Sequence, residues 1–255
     1  MFLLDVACAC HTGKIRSNNE DNLYFDGKIL EEIHSGLGKG IAKSILLSES
    51  SAFAVFDGMG GEESGEKASY EAAARFAEVL KDKQDFLVRP RDLLNDVCLQ
   101  MNGAVLQASE KLPFGRMGST VVSLLFSRDE VHVCNLGDSR AFRLRDKELM
   151  QLTQDHVEML PAYADGQKRK PALSQYLGVR PEELTLEPYI AKGELRSGDQ
   201  YLLCSDGLTD MVRNVEICSI LEREDNTLDC VDALVRAALQ GGGKDNITVI
   251  LCRVR

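Results

Sequence analysis

Residues 119–145 read Ser119-Thr-Val-Val-Ser-Leu-Leu-Phe-Ser-Arg-Asp-Glu-Val-His-Val-Cys-Asn-Leu-Gly-Asp-Ser-Arg-Ala-Phe-Arg-Leu-Arg145. This stretch contains three short segments rich in Val, Leu and Phe, at 119–127, 130–136 and 139–145. Polar breaks at Arg128-Asp129 and Gly137-Asp138 separate the segments. Short runs of β-forming residues between tight turns are typical of consecutive strands. The stretch therefore predicts an antiparallel meander of three strands.

The pattern changes on both sides of this stretch. Helical spacing predicts helices over 62–82, 91–112 and 227–240, and short apolar runs predict strands at 52–56, 200–204 and 246–253. Helices and strands come in clusters rather than in strict alternation, which favours antiparallel sheets covered by helices, an α+β fold. Residues 157–195 are polar and irregular in pattern, which predicts a surface flap.

Composition excludes several classes of protein. The chain has 255 residues, and 30 Lys and Arg against 40 Asp and Glu give a net charge of −10. A protein that wraps nucleic acid needs Lys and Arg for phosphate contacts, and a polybasic membrane anchor needs them too. We therefore expect neither kind of partner. No linker rich in Pro, Gly or Ser divides the sequence, so we expect a single domain over residues 1–255.

The pattern of cysteines and the lack of long apolar runs indicate the cellular location that we expect for the protein. The eight cysteines include no Cys-x-x-Cys pair, and most lie inside apolar runs such as Leu202-Leu203-Cys204. Free cysteine acts there as a small hydrophobe. The first residues lack the basic and apolar regions of an export signal, and no run is long enough to span a membrane. We therefore expect a cytoplasmic protein, and the lack of a long heptad repeat favours a monomer.

Four aspartates lie where an apolar strand begins or ends: Asp57, Asp138, Asp206 and Asp245. Strand ends of one sheet share a rim, so these carboxylates can converge although they are far apart in sequence. Each Asp-Gly pair is also an ordinary turn signal, and that alternative stays open for any one of them. Clustered carboxylates repel one another unless cations lie between them. Oxygen ligands without His or Cys favour Mg²⁺ or Mn²⁺.

A second polar cluster, Arg16-Ser-Asn-Asn-Glu-Asp21, lies near the start of the chain. Glu20 and Asp21 can supply further oxygen ligands or hold metal-bound water. Arg16 can place two parallel hydrogen bonds on a phosphate, because its guanidinium is planar. The alternative interpretation of the hexapeptide by itself is a solvated polar loop.

Seven motifs together resemble a known family. In order they are Arg16-Ser-Asn-Asn-Glu-Asp21, Phe56-Asp-Gly-Met-Gly-Gly61, Gly118-Ser-Thr120, Asn135-Leu-Gly-Asp-Ser-Arg140, Leu152-Thr-Gln-Asp-His156, Leu203-Cys-Ser-Asp-Gly-Leu208 and Lys244-Asp-Asn-Ile-Thr248. The ordered set is similar to that of the metal-dependent protein phosphatases, the type 2C or PPM family of serine/threonine phosphatases, in its bacterial form. The resemblance extends from residue 16 to residue 248 and implies a four-layer α-β-β-α sandwich.

The resemblance also implies roles for particular residues. Asp57 would bridge two Mn²⁺ or Mg²⁺ ions, the carbonyl of Gly58 would bind one of them, and Asp206 and Asp245 would complete the other shell. Two further assignments follow: Glu20 and Asp21 would hold metal-bound water, and Asp138 with Asp206 would match a third metal position. Arg16 would bind the substrate phosphate, and residues 157–195 would form the flap beside the site.

The implied activity is hydrolysis of phosphoserine and phosphothreonine on proteins by a water that two metal ions activate. Substrates would be the targets of a cognate serine/threonine kinase. Met59 stands where many animal members have His, which leaves the general acid unassigned. Two alternatives stay open: a catalytically silent phosphoprotein-binding regulatory module of the same fold, and a hydrolase of small phosphoesters.

Overall fold

The computed structural model describes residues 2–47, 50–60, 64–81, 89–112, 116–158 and 171–255. These residues form two antiparallel β-sheets. The strands are β1 (Phe2–His11), β2 (Asp21–Phe25), β3 (Lys28–Ile29), β4 (Ile41–Leu47), β5 (Ser50–Gly60), β6 (Met117–Ser119), β7 (Val121–Ser127), β8 (Glu130–Leu136), β9 (Arg140–Arg145), β10 (Glu148–Gln151), β11 (Tyr189–Glu194), β12 (Gln200–Cys204) and β13 (Ile247–Val254). The helices are α1 (Gly65–Val79), α2 (Pro90–Ser109), α3 (Asp206–Thr209), α4 (Asn214–Arg223) and α5 (Thr227–Gln240).

The order of the strands differs from their order in the chain. The first sheet runs β10-β9-β12-β13-β1-β4 and the second runs β11-β8-β7-β5-β2-β3, while β6 pairs with the end of β5. Neighbouring strands are thus often distant in sequence: β1 pairs with β13, the first described strand with the last. Segments from both ends of the chain are brought together in this way.

Strand β13 shows why the two sheets pack face to face. Ile250, Cys252 and Val254 point into the core between the sheets. Val249 and Leu251, which alternate with them, point to the outer face and pack beneath helices. Successive side chains of a strand point to opposite faces, so an apolar run without alternation indicates a strand that is buried on both sides.

Helices cover both outer faces. Side chains of α1 and α2 form one apolar cluster with the outer face of the second sheet, and side chains of α4 and α5 form another with the first sheet. The molecule is therefore the four-layer α-β-β-α sandwich that the family resemblance implies. None of the helices within the described ranges is both long and apolar enough to cross a membrane.

The prediction of a three-strand meander is correct for its first two strands and wrong for the third. Strands β7 and β8 pair as a hairpin across Arg128-Asp129. Strand β9 instead pairs with β12 and β10 in the other sheet. Gly137 at the break has φ +102°, and a Cβ there would lie 2.6 Å from Thr120, so the backbone bends sharply against its neighbour. A connection between two sheets has the same polar composition as a hairpin turn, so the sequence does not distinguish the two.

The prediction of a polar, irregular segment over 157–195 is wrong at its C-terminal end. Residues 189–194 form β11, an edge strand of the second sheet that pairs with β8. Edge strands carry more polar residues than central ones, so an apolar run does not identify them. Residues 159–170 of the predicted flap lie outside the described residues.

Candidate metal centre

A cavity of about 760 Å³ opens where strand ends of both sheets meet. Nearly all of the predicted site residues line it: Arg16, Glu20, Asp57, Gly58, Asp138, Asp206 and Asp245. Only Asp21 of the predicted set does not reach the cavity wall. The structure thus brings together residues that are separated by more than two hundred positions in the chain.

Asp206 and Asp245 come from neighbouring strand ends of the first sheet. Asp206 follows β12 and begins α3, and Asp245 lies just before β13, the strand that pairs with β12. The N–H of Ser205 donates to the carbonyl of Thr248 at 3.1 Å, which extends this pairing to the edge of the sheet. The two carboxylates therefore share one rim.

Asp57 reaches the same rim from the second sheet. It lies near the end of β5, and its own N–H donates to Thr120 Oγ1 at 3.1 Å. The N–H of Thr120 donates back to the carbonyl of Asp57 at 2.8 Å, and the Thr120 hydroxyl contacts Ser139 Oγ at 2.7 Å. The Gly118-Ser-Thr120 motif thus holds the backbone of Asp57 in place.

Gly58 lies at a point where three backbone segments meet. Its N–H donates to the carbonyl of Glu20 at 2.9 Å. A Cβ at this position would overlap the carbonyl oxygen of Gly65 at the start of α1. Glycine is required here because the backbone of the helix approaches β5 without room for a side chain.

The guanidinium of Arg16 lies between two carboxylates. It donates to Asp245 Oδ2 at 2.8 Å and to Glu20 Oε2 at 3.4 Å. The hydrogen bond to Asp245 raises the pKa of Arg16, so the side chain stays charged. Burial raises the pKa of Glu20, and the charge of Arg16 opposes that rise. A cation is thus already present among the carboxylates of this cavity.

Asp21 lies behind the cavity wall. Its side chain is 1% exposed and accepts a hydrogen bond from Ser205 Oγ at 2.7 Å. Ser205 Oγ in turn accepts from the N–H of Thr248 at 3.0 Å. Burial raises the pKa of Asp21 to about 7. In this position Asp21 contacts Ser205 behind the cavity rather than lining the cavity wall.

Asp138 is held by a turn that His156 supports. The N–H of Gly137 donates to His156 Nδ1 at 3.2 Å, and the N–H of His156 donates to the carbonyl of Gly137 at 3.0 Å. Burial lowers the pKa of His156, which favours the neutral imidazole that can accept this bond. The paired bonds fix the backbone that carries Asp138 at the cavity.

Asn246 connects two parts of the candidate site, and sequence reasoning missed it. It is 3% exposed, and its carboxamide bonds to the N–H of Glu20 and to the carbonyls of Thr12 and Asn18. It therefore ties the loop that carries Arg16 to the end of the chain that carries Asp245. The feature of the sequence that could have identified it is an Asn at the start of an apolar strand, inside the Lys244-Asp-Asn-Ile-Thr248 motif.

The donor set fits a hard divalent cation, although no cage is preformed. Among the described residues, no three carboxylate, imidazole or thiol groups converge closely enough to hold an ion as they stand. The guanidinium of Arg16 pairs with two of the carboxylates, those of Glu20 and Asp245. The lining carboxylates are all-oxygen donors, the type that Mg²⁺ and Mn²⁺ prefer.

Residues 42–242 match the family described as Protein phosphatase 2C. The chain belongs to this family. The match confirms the family resemblance seen in the sequence. The chain is 30% identical to the serine/threonine protein phosphatase PstP of Mycobacterium tuberculosis, over 99% of its own length and 45% of that relative. It thus spans about half the length of PstP. It is also 30% identical to the serine/threonine phosphatase stp of Listeria welshimeri, over 94% of this chain and 91% of the relative.

Solved structures support the same assignment. The catalytic domain of PstP in complex with two manganese ions superposes with a TM-score of 0.75 at 30% identity, over 100% of this chain and 99% of the other. A serine/threonine phosphatase from S. agalactiae gives a TM-score of 0.82 over 99% and 100% of the two chains. Its identity is 24%, so it supports the fold alone. The predicted α+β sandwich is confirmed by these neighbours.

Proposed function

We propose that the protein is a metal-dependent serine/threonine phosphatase that hydrolyses phosphoserine and phosphothreonine on proteins. The observation that carries this proposal is the cavity in which Arg16 lies beside carboxylates from both sheets. Membership of the protein phosphatase 2C family supports it, and so does similarity to the serine/threonine phosphatases of Mycobacterium and Listeria.

Two Mn²⁺ or Mg²⁺ ions would suit the oxygen donors of this cavity, and the similar catalytic domain of PstP was solved in complex with two manganese ions. Asp57, the carbonyl of Gly58, Asp206 and Asp245 would hold them. Glu20 at the wall and Asp21 behind it would support bound water, and Asp138 with Asp206 would offer a third position. When bound, the pair of ions would neutralise the phosphomonoester and make a water acidic enough to serve as nucleophile.

Arg16 binds the substrate phosphate in this proposal. Its side chain is 43% exposed, so a phosphate entering the cavity can reach the guanidinium. Phosphate then competes with Asp245 and Glu20 for the same N–H donors. The planar guanidinium offers two parallel hydrogen bonds to phosphate oxygens, which orients the phosphoryl group as well as attracting it.

Met59 contributes an apolar part of the wall. A thioether has no proton to give, so Met59 does not protonate the leaving alkoxide of the substrate. Hydrophobic neighbours such as Met117 and Leu173 line the same cavity and reduce the access of water to the phosphoester. The proton for the leaving group therefore comes from a source other than residue 59.

We also propose that the protein acts as one catalytic domain over residues 1–255, as a cytoplasmic monomer on targets of a cognate serine/threonine kinase. The free, largely buried cysteines support the cytoplasmic location. The lack of a long heptad repeat supports the monomer. Within the range predicted as a flap, residues between 171 and 180 contribute to the cavity wall.

The experiment is a hydrolysis assay with p-nitrophenyl phosphate and a phosphothreonine peptide, with added MnCl₂ or MgCl₂ and with a chelator. We expect turnover that requires the metal and that falls by about a hundredfold or more in Asp206→Asn, since metal-bound charge stabilisation is worth several kcal/mol. Asp96→Asn, an exposed carboxylate on α2, is the matched control and should keep full activity.

Each alternative has a distinct outcome in this assay. Binding of the phosphopeptide without turnover would identify a catalytically silent module instead. Turnover of free phosphometabolites but not of the phosphopeptide would identify a hydrolase of small phosphoesters. Full activity of Asp206→Asn, or turnover that the chelator leaves intact, would overturn the proposed mechanism.

A further inference from the structure

Two arginines on contacting backbone segments, Arg116 and Arg180, line the same cavity as Arg16. Ser119 and Leu177 form an antiparallel bridge, with N–H to carbonyl distances of 3.1 and 2.8 Å. Arg116 lies three residues before Ser119 and Arg180 lies three residues after Leu177. Each arginine is thus close in sequence to the bridge that joins the two segments. Both arginines line the cavity.

The segment that carries Arg180 is held firmly against the rest of the fold. The side-chain oxygen of Asn102 on α2 accepts hydrogen bonds from the N–H groups of Gly178 and Val179 at 2.8 and 3.0 Å. Its amide donates to the carbonyl of Val179 at 3.0 Å. A Cβ at Gly178 would lie 2.5 Å from the carbonyl oxygen of Met117, so the two segments are in close contact.

The charges of these arginines are poorly balanced. Arg180 has an ion pair with Glu183 at 3.5 Å, in which both side chains are about half exposed. For Arg116, the described part of the chain offers no ion pair. By contrast, Arg140 holds Asp155 through three hydrogen bonds. Cations that line one cavity repel each other, and a bound anion reduces that repulsion.

We propose that Arg116 and Arg180 form a second anion subsite, which selects phosphoprotein segments that carry a further carboxylate or phosphate near the phosphorylated residue. This rests on the proposed function, because the first phosphate would bind Arg16. Apolar side chains line the same cavity, among them Met59, Leu106 and Tyr176, and they would contact the residues between the two anions. The substrate class is therefore an acidic or multiply phosphorylated segment.

The test compares phosphothreonine peptides within each protein variant. One Glu, or one phosphoserine, is moved a position at a time along either side of the phosphothreonine in an alanine-rich background. The readout is the ratio of kcat/KM for the anionic peptide to that for the neutral peptide, in which any general change in activity cancels. We expect a ratio of about five or more at one spacing, and a fall of about fivefold in Arg116→Gln or Arg180→Gln, as for an exposed charge-assisted contact.

Two further variants sharpen the result. Glu183→Gln should raise the ratio, because it removes the carboxylate that competes for Arg180. Arg223→Gln removes one positive charge from α4, where the side chain is 65% exposed and does not line the cavity, so the ratio should not change. High salt should lower the ratio in the unmodified protein, since exposed charges are screened.

The outcomes separate the two sources of the anion and the two proposals. A ratio above one only for Glu peptides assigns the subsite to carboxylates, and only for phosphoserine peptides assigns it to phosphate. Equal rates for all peptides, or a ratio that Arg116→Gln and Arg180→Gln leave intact, would overturn the subsite while phosphatase activity stands. Failure of the proposed function has a different signature, because no peptide and no aryl phosphate would then be hydrolysed.

Discussion

The side-chain oxygen of Asn246 accepts a hydrogen bond from the backbone N–H of Glu20 at 2.8 Å, across 226 positions of the chain. The amide nitrogen of the same side chain donates to the carbonyls of Thr12 and Asn18 at 2.8 and 2.9 Å. One buried side chain thus satisfies three backbone groups of the loop that carries Arg16. Because Asn246 directly follows Asp245, this loop and that carboxylate are fixed to each other.

Replacing Asn246 with Ala should destabilise the protein and impair the site together. The change leaves one N–H and two carbonyls without their partner in a part-buried place, and we expect the free energy of unfolding to fall by about 3 kcal/mol. The loop would then lose its fixed position, so kcat/KM for an aryl phosphate should fall as well. Urea unfolding and steady-state kinetics measure the two effects.

Asn214→Ala provides the matched control, because Asn214 is exposed at the start of α4. Its substitution should change stability by less than about 0.5 kcal/mol. Asn246→Asp keeps the acceptor for Glu20 but cannot donate to Thr12 and Asn18 when ionised. Native-like stability of both Asn246 variants would show that the loop is held by other contacts.

We expect substitution of glycine by alanine to have opposite effects on stability at two positions. Gly58→Ala would push a methyl group into the carbonyl oxygen of Gly65, and we expect a loss of about 2 kcal/mol or more because backbone must move. Gly103 lies inside α2 with open space around it, so Gly103→Ala should stabilise the protein by about 0.5–1 kcal/mol. Thermal unfolding of both variants checks the pair, and similar shifts in Tm would contradict the close contact at Gly58.

Local pattern was enough to predict the elements that bury one face or both. Helix α5 coincides with the predicted 227–240, and the apolar run at 246–253 is β13. These segments bury their side chains against the sandwich, so their period is visible in sequence. Strand β4 is different: its residues are mostly exposed at the edge of the first sheet, and Lys43-Ser44 interrupt its apolar residues.

Prediction of the site from sequence depended on topology. The strand-end aspartates were recognisable, but whether they converge depends on β5, β12 and β13 ending at one rim. The ion pair of Arg16 with Asp245 and the position of Asp21 behind the wall were not predictable, because both depend on side-chain packing between distant segments. The crossing of β9 to the other sheet was missed for the same reason.

A buried ion pair away from the cavity predicts how stability depends on pH. Asp199 is 1% exposed and accepts hydrogen bonds from Arg145 at 2.6 Å and from Tyr201 at 3.0 Å. Burial by itself would raise the pKa of Asp199, but these bonds and one from the N–H of Arg196 outweigh it, and the pKa is lowered. The ionised carboxylate is therefore favoured in the folded state.

The direction of the pH effect follows from this lowered pKa. The stabilisation is fully present above the unfolded-state pKa of about 3.9 and is lost as the pH falls through the folded-state pKa. The difference in unfolding free energy between the unmodified protein and Asp199→Asn should therefore shrink below about pH 4. A difference that is constant from neutral to acidic pH, in urea titrations, would contradict it.

Removing the partner of that carboxylate should cost more than removing an exposed arginine. Arg145→Met leaves the buried Asp199 without its cation, and we expect a loss of about 3 kcal/mol. Arg75→Met breaks an ion pair with Glu78 in which both side chains are well exposed, so its effect should stay below about 1 kcal/mol. Equal losses in the two variants would mean that Asp199 finds another partner.

Arg16 should affect binding of substrate in a way that lysine cannot replace. Arg16→Ala removes two charged hydrogen bonds from the phosphate, and kcat/KM for an aryl phosphate should fall about ten- to a hundredfold. Arg16→Lys restores the charge but not the planar pair of donors, so it should recover only part of the loss.

Inhibition by inorganic phosphate gives an independent readout, since its inhibition constant should rise in both variants. Arg16→Ala also leaves Asp245 and Glu20 without their cation, so this variant should lose stability in the absence of metal, and added Mn²⁺ should restore it. If Arg16→Lys matched the unmodified protein in both kcat/KM and phosphate inhibition, the role of Arg16 would be charge balance between the carboxylates rather than the orientation of the phosphate.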